Sequence, residues 1–201
     1  IPTQHEDSDG DGFGDNKSAG AMSPDACVTV PGTSFEDRYG CPDSDGDGWS
    51  NADGYWVAHP AGQADAFPTE FSQWRDTDED EFGDNQSEGA YQPDSCPITT
   101  GTSWIDRYGC IDSDGDGWSD SEDSFTNDST QWHDVDGDGY DDLEDGCMLI
   151  AGNSTFDRFG CLDSDGDGYS DSDALWNMSS GSDAFPFEAT QNADQDKDRK
   201  S

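Results

Sequence analysis

The chain has 201 residues, with 48 acidic side chains against 8 Lys and Arg, a formal charge of −40 and a mean hydropathy of −1.00. Only 29% of it is hydrophobic, too little to offset the entropy of ordering so polar a chain around an ordinary oily core. The acidic balance excludes nucleic acid as a partner, and no run of about 18 apolar residues exists to span a membrane.

Charge and hydropathy alone would suit a disordered chain. Two features argue for order. Aromatic residues reach 11%, and the acids comprise 39 Asp against 9 Glu. A solvating tail has no reason to prefer the shorter carboxylate, whereas a tight loop of oxygen ligands does. Internal repetition then sets the architecture. Gln4, Gln73 and Gln131 open three units, 1–70, 71–128 and 129–188, and Gln191 opens a fourth, cut short at 189–201. Within them Gly32 to Cys41 recurs as Gly101 to Cys110 and as Gly152 to Cys161, each followed at once by an Asp-Ser-Asp-Gly-Asp-Gly run.

Six loops carry Asp at positions 1, 3 and 5, taken in chain order. They are Asp7, Asp9 and Asp11; Asp43, Asp45 and Asp47; Asp76, Asp78 and Asp80; Asp112, Asp114 and Asp116; Asp134, Asp136 and Asp138; Asp163, Asp165 and Asp167. Calcium takes six to eight hard oxygens, and alternating carboxylates supply three from one turn of backbone. Position 6 is Gly in five loops, allowing the bend that brings the position-7 carbonyl inward; the third loop has Glu81 there and Glu79 at position 4, which predicts a weaker site. Position 7 is always aromatic (Phe13, Trp49, Phe82, Trp118, Tyr140, Tyr169), its carbonyl facing the ion and its ring free to pack outward. Position 9 offers Asp15, Asn51, Asp84, Asp120, Asp142 or Asp171, directly or through water.

A distal acid completes each set. Asp145 stands at position 12 of the fifth loop, just before Cys147; Asp25 and Asp94 match it after a seven-residue insertion. Asp65, Asp123 and Asp183 match one another, each preceding a small residue and Phe, across insertions after Asn51 and Asp171. These positions hold 29 of the 48 acids, a regularity that a merely solvated acidic face would not produce. Transition metals would favour His or Cys.

The six cysteines form three pairs of identical spacing, Cys27/Cys41, Cys96/Cys110 and Cys147/Cys161, so local disulfides are expected. Each would close a loop of about 15 residues and contribute roughly 3 kcal/mol. His5, His59 and His133 do not give zinc spacing. Disulfides imply an oxidising compartment outside the cytosol. Asn16, Asn85, Asn127, Asn153 and Asn177 lie in Asn-x-Ser/Thr and are candidate glycan acceptors.

The Asp-x-Asp-x-Asp-Gly-x-x-Asp-x-x-Asp-x-Cys pattern, met in full from Asp134 to Cys147, resembles the thrombospondin type 3 calcium-binding repeat. That resemblance covers nearly the whole chain and implies a secreted or surface protein organised around bound calcium, with little regular secondary structure. The insertions and the pairing of cysteines within a unit depart from the family's usual spacing. EF-hands and dockerin-like pairs need flanking helices that this sequence lacks, and the nonapeptide of toxin-type β-rolls is absent.

The expected fold is therefore mostly irregular: a linear array of Asp loops with local disulfides, little α or β structure, and short helical turns opened by Ser34-x-x-Asp37, Ser103-x-x-Asp106 and Ser154-x-x-Asp157. Arg38, Arg107 and Arg158 are expected to neutralise the adjacent acidic loop in part, with stacking on an aromatic as the alternative. Trp74 and Trp132 are expected to fill small satellite cores. Asp194, Asp196 and Asp198 run into Arg199 and make only a half-site. The sequence itself contains no signal peptide and starts abruptly at Ile1, so a processed chain or an interior piece of a longer one is expected. The ends, a unit start at Ile1 and an unfinished unit at Ser201, suggest head-to-tail self-association into a surface fibril or stalk. The alternative is an adhesion module using the insertions with Tyr55, Trp56 and Trp176. An enzyme is not expected, because nearly every Asp already has a metal role.

Overall fold

A computed structural model describes residues 6–194. The unit-opening Gln4, the neighbouring His5, and the half-site residues Asp196, Asp198 and Arg199 lie outside the described residues. The chain divides into two compact units, Ile1–Asp120 and Ser121–Ser201. The first contains the loops at Asp7, Asp43, Asp76 and Asp112 and the first two cysteine pairs; the second contains the loops at Asp134 and Asp163 and the third pair.

No helix is present among the described residues, and β-structure is limited to isolated bridges such as Gly14 with Pro24, Gly83 with Pro93 and Asp25 with Tyr39. Loops of Asp, Gly and Ser satisfy their backbone groups through short side chains, so no extended ladder is needed. The three cysteine pairs are all disulfides: Cys27–Cys41, Cys96–Cys110 and Cys147–Cys161, each 14 residues apart in sequence with Cα atoms 5.0–5.1 Å apart.

The helical turns expected at the three Ser-x-x-Asp segments are reduced to bends. Ser34 Oγ accepts from Cys41 N–H at 3.0 Å and donates to the Arg38 carbonyl at 2.7 Å, while Gly40 N–H donates to the Ser34 carbonyl. Ser103 repeats the set with Cys110, Arg107 and Gly109, and Ser154 with Cys161, Arg158 and Gly160. The Asp of each segment does not fold back on its serine. Asp37 instead accepts from Ser50 N–H and Oγ at 2.9 and 2.6 Å, bonding the disulfide loop to the next Asp loop. Asp106 with Ser119 and Asp157 with Ser170 do the same.

The interior is polar. Among the described residues the buried hydrophobic side chains are Cys41, Ala64, Cys110 and Cys161, whereas Asp25, Asp65, Asp94 and Asp183 and several serines are buried beside them. The aromatic rings pack in pairs outside the loops. Trp74 stacks on Trp49, with centroids 6.1 Å apart and planes 6° apart, and Arg75 lies 5.6 Å from the Trp49 ring. Phe13 with Tyr39, Phe82 with Tyr108 and Tyr140 with Phe159 make the corresponding contacts beside the odd-numbered loops.

Candidate metal centres

Every Asp loop is wound in the same way. The position-1 carboxylate accepts from the N–H groups of positions 4 and 6, as Asp7 does from Gly10 at 2.7 Å and Gly12 at 3.1 Å. One oxygen of the position-5 acid accepts from the position-7 N–H, as Asp47 does from Trp49 at 2.7 Å. The position-9 N–H closes the loop onto the carbonyl preceding position 1, at 2.7–2.9 Å in all six loops. This winding needs φ > 0 at positions 4 and 6, which Gly46 (85°) and Gly48 (98°) adopt without strain. In the third loop Glu79 and Glu81 are forced to φ of 66° and 75°.

The insertions of unequal length do not disturb this geometry. The N–H of the distal acid donates to the position-8 carbonyl whether a few residues or many intervene. Asp25 bonds Gly14, Asp65 bonds Ser50, Asp94 bonds Gly83, Asp145 bonds Asp141 and Asp183 bonds Ser170, all at 2.8–2.9 Å. One carboxylate oxygen of the distal acid then accepts from the N–H two residues on, at 2.7 Å for Asp25 with Cys27 and for Asp123 with Phe125. Gly40 and its counterparts are held tightly behind it: a Cβ at Gly40 would lie 2.4 Å from Asp25 Oδ1 and 3.0 Å from Asp11 Oδ2.

The structure thus brings the predicted triads together. In five loops, those beginning at Asp7, Asp43, Asp76, Asp112 and Asp134, the triad offers ligand atoms all within 4.8 Å of one another, a group able to hold a metal ion. The loop at Asp163 has the same winding, through Gly166, Gly168 and Tyr169. The second oxygens are the telling feature. Asp9 Oδ2, Asp45 Oδ2, Asp78 Oδ1 and Oδ2, Asp114 Oδ2, Asp136 Oδ1 and Oδ2 and Asp165 Oδ2 are buried with no hydrogen-bond partner. Oδ2 of the distal acids Asp25, Asp65, Asp94 and Asp183 is in the same state. Buried polar groups are nearly always paired, so this concentration of orphaned anionic oxygens marks where positive charge belongs.

The electrostatics agree. Burial first, with repulsion from the triad acids adding to it, raises the Asp65 carboxyl to about 7 and that of Asp94 to about 6. Asp25, Asp145 and Asp183 are raised for the same reasons. The ion pairs of Arg38 and Arg158 do not relieve the triads. Each reaches an acid of the neighbouring insertion at 2.8 Å, Asp53 and Asp173, and stacks on Trp56 and Trp176 with its guanidinium carbon 5.4 and 5.2 Å from the ring centre. Neutralisation of the adjacent loop, the expected role, is not what these two arginines do: the paired acid belongs to the insertion, and the alternative, stacking, is what is seen.

Position 9 has a second task. Both oxygens of Asp15 accept from Ser8, those of Asp84 from Thr77, those of Asp120 from Ser113 and those of Asp171 from Ser164, tying position 9 to position 2. Asn51 bonds Ser44 in both directions, and Asp142 accepts from Val135 N–H. Among the candidate glycan acceptors, Asn127, Asn153 and Asn177 are exposed, Asn16 is half-buried, and the half-buried Asn85 donates its amide to the Ser72 carbonyl at 2.8 Å.

Sequence reasoning missed three groups: the Asp37–Ser50 latch and its copies, the Arg38–Asp53 and Arg158–Asp173 pairs, and Gln73. That glutamine is 1% exposed and spans the seven-residue insertion, bonding Asn85 N–H and the carbonyls of Asn85 and Tyr91. Its place at the head of each unit was the available signal. No family model matches the chain, and no curated protein matches it closely enough to count as a relative. No helix among the described residues is long and apolar enough to cross a membrane.

Proposed function

We propose that the chain is an extracellular calcium-binding structural repeat protein whose six Asp loops each close on a calcium ion, in the manner of the thrombospondin type 3 repeats it resembles. The distal acids carry this reading. Asp25, Asp65, Asp94 and Asp183 are 0–2% exposed, and each leaves one oxygen without a partner beside a carboxylate triad. An unpaired buried carboxylate costs several kcal/mol, which a divalent cation shared with the triad removes. Calcium suits the set better than magnesium because the oxygens are many and come from pliant loops. Softer metals would want His or thiolate, and every cysteine here is in a disulfide. The disulfides also favour an oxidising, extracellular setting. Asn127, Asn153 and Asn177 are the exposed acceptors for glycans in that setting.

Most of the acids, 29 of 48, stand at these loop positions, so no catalytic role is assigned. Equilibrium dialysis with metal analysis tests the reading, with magnesium and zinc as controls. About six calcium ions are expected, with Kd on the order of 0.1–1 mM. Failure to bind calcium at millimolar concentration, or near-UV circular dichroism unchanged by chelator, would refute it. Assembly into a head-to-tail surface fibril is the finer proposal, and negative-stain microscopy with and without chelator decides it; a monomer at millimolar calcium rules it out.

A further inference from the structure

Beside its last distal acid, outside the Asp loop, the third repeat departs from the first. In the first repeat the position-7 ring, Trp49, is covered by the indole of Trp74, and Ala64, just ahead of the distal acid, is fully buried. Two hydrogen bonds fix the register there: Asp65 N–H to the Ser50 carbonyl, and Ala66 N–H to the Trp74 carbonyl. The third repeat makes both bonds again, Asp183 to Ser170 and Ala184 to Asn192. The residues in the three equivalent places are therefore Tyr169, Ser182 and Asn192. A methyl has become a hydroxyl, the covering indole has become an amide, and the Tyr169 ring meets Phe156 at a tilt of 56° with centroids 5.6 Å apart.

Where the first repeat is packed with tryptophan, the third has a cavity of about 570 Å³ lined by Tyr169, Asn177, Ser179, Ser182, Asn192 and Asp194 among others. That volume falls within the ~300–1,000 Å³ of small-molecule sites. Ser182 is 3% exposed, and its Oγ has no hydrogen-bond partner. Asn177 Oδ1 accepts from Ser179 N–H and Oγ at 2.9 and 2.5 Å, which holds that amide in place.

The Tyr169 wall, with Met178, Ala184 and Ala193 beside it, is set among amides, hydroxyls and the Asp194 carboxylate, which matches a ligand with an apolar face and a polar edge. A plain aromatic ring would leave Ser182 and Asn192 unpaired, and an anion would be repelled by a chain of formal charge −40. A pyranose has both required features: C–H groups on one face to lie against a ring, and hydroxyls around its rim that donate and accept. We propose that this cavity binds a pyranose sugar, with the ring stacked on Tyr169 and its hydroxyls held by Ser182, Asn192 and Asn177. The identity of the ion in the adjacent loop does not enter this assignment.

The test uses the full, unglycosylated chain made in bacteria and held in calcium. Methyl glycosides of glucose, mannose, galactose and N-acetylglucosamine are titrated singly, with binding read by saturation-transfer NMR and intrinsic fluorescence. At least one is expected to bind with Kd on the order of 1 mM, the range a ligand of this size allows. Asn192→Trp, which restores the first repeat's pairing, is expected to weaken binding at least roughly tenfold. Ser182→Ala, which copies Ala64, is expected to weaken it by about fivefold while leaving the near-UV spectrum in calcium unchanged. Absence of binding by all four glycosides up to ~50 mM, or equal binding by wild type and both variants, overturns the proposal.

Discussion

Single residues decide how well each loop can be wound. Positions 4 and 6 need φ > 0, and the third loop meets this with Glu79 and Glu81 at 66° and 75° where other loops use Gly. A left-handed conformation costs an L-residue on the order of 1–2 kcal/mol. Glu79→Gly and Glu81→Gly are therefore expected to tighten metal binding at the third loop roughly fivefold each. Calorimetry on the variants checks this, and unchanged affinity would show that the strain is relieved elsewhere. Gly40 gives the opposite case. Its φ is 72°, and a Cβ would lie 2.4 Å from Asp25 Oδ1. Gly40→Ala is expected to push Asp25 out of place and abolish the first site while leaving the loops of the second unit, built on Asp134 and Asp163, with wild-type affinity.

At the scale of the element, the unit is an Asp loop bonded to a disulfide loop by a buried serine. Ser50 is fully buried and gives both its N–H and its hydroxyl to Asp37. Ser50→Ala removes the hydroxyl bond to a charged acceptor and is expected to cost about 1.5–3 kcal/mol, measured by denaturant melts of the calcium-loaded protein. Ser119→Ala should match it, because Ser119 bonds Asp106 at the same distances of 2.9 and 2.6 Å.

The sequence makes the loops and staples legible because both are coded by fixed spacing: three acids two residues apart, and two cysteines separated by 14. The distal acids are legible too, since each precedes Cys or Phe by two residues whatever the insertion. The Asp37 latch is not. Ser34-x-x-Asp37 is the local pattern of a helix start, but the disulfide and the left-handed Gly40 bend the chain before a turn can close. Asp37 then finds its partner 13 residues away, in a contact that no local pattern specifies. The exchange of Trp74 for Asn192 escapes notice for a related reason, because its meaning depends on a register that only the backbone hydrogen bonds establish.

For the molecule as a whole, acids occupy the place that oily side chains fill in most proteins, so protons and any cation held by the Asp triads would compete to stabilise the same interior. Burial and mutual repulsion raise Asp65 to about 7 and Asp47 and Asp94 to about 6, from an ordinary value of 3.8. Between 3.8 and about 7 the metal-free folded chain therefore holds more protons than the unfolded chain. Stability must then fall as pH rises through that window, because the slope follows the protons bound in the unfolded state minus those bound in the native state. The stabilisation is complete below 3.8 and lost by about 7. A bound cation reverses the sign, since it needs the same carboxylates ionised and must displace their protons. In chelator, near-UV circular dichroism and hydrogen-exchange protection are expected to be stronger near pH ~4.5 than near pH ~8. In saturating calcium the order should invert, with protection greatest at the higher pH. Equal protection at both pH values in chelator would mean that the buried acids do not govern the fold, and that disulfides and paired rings suffice to hold it.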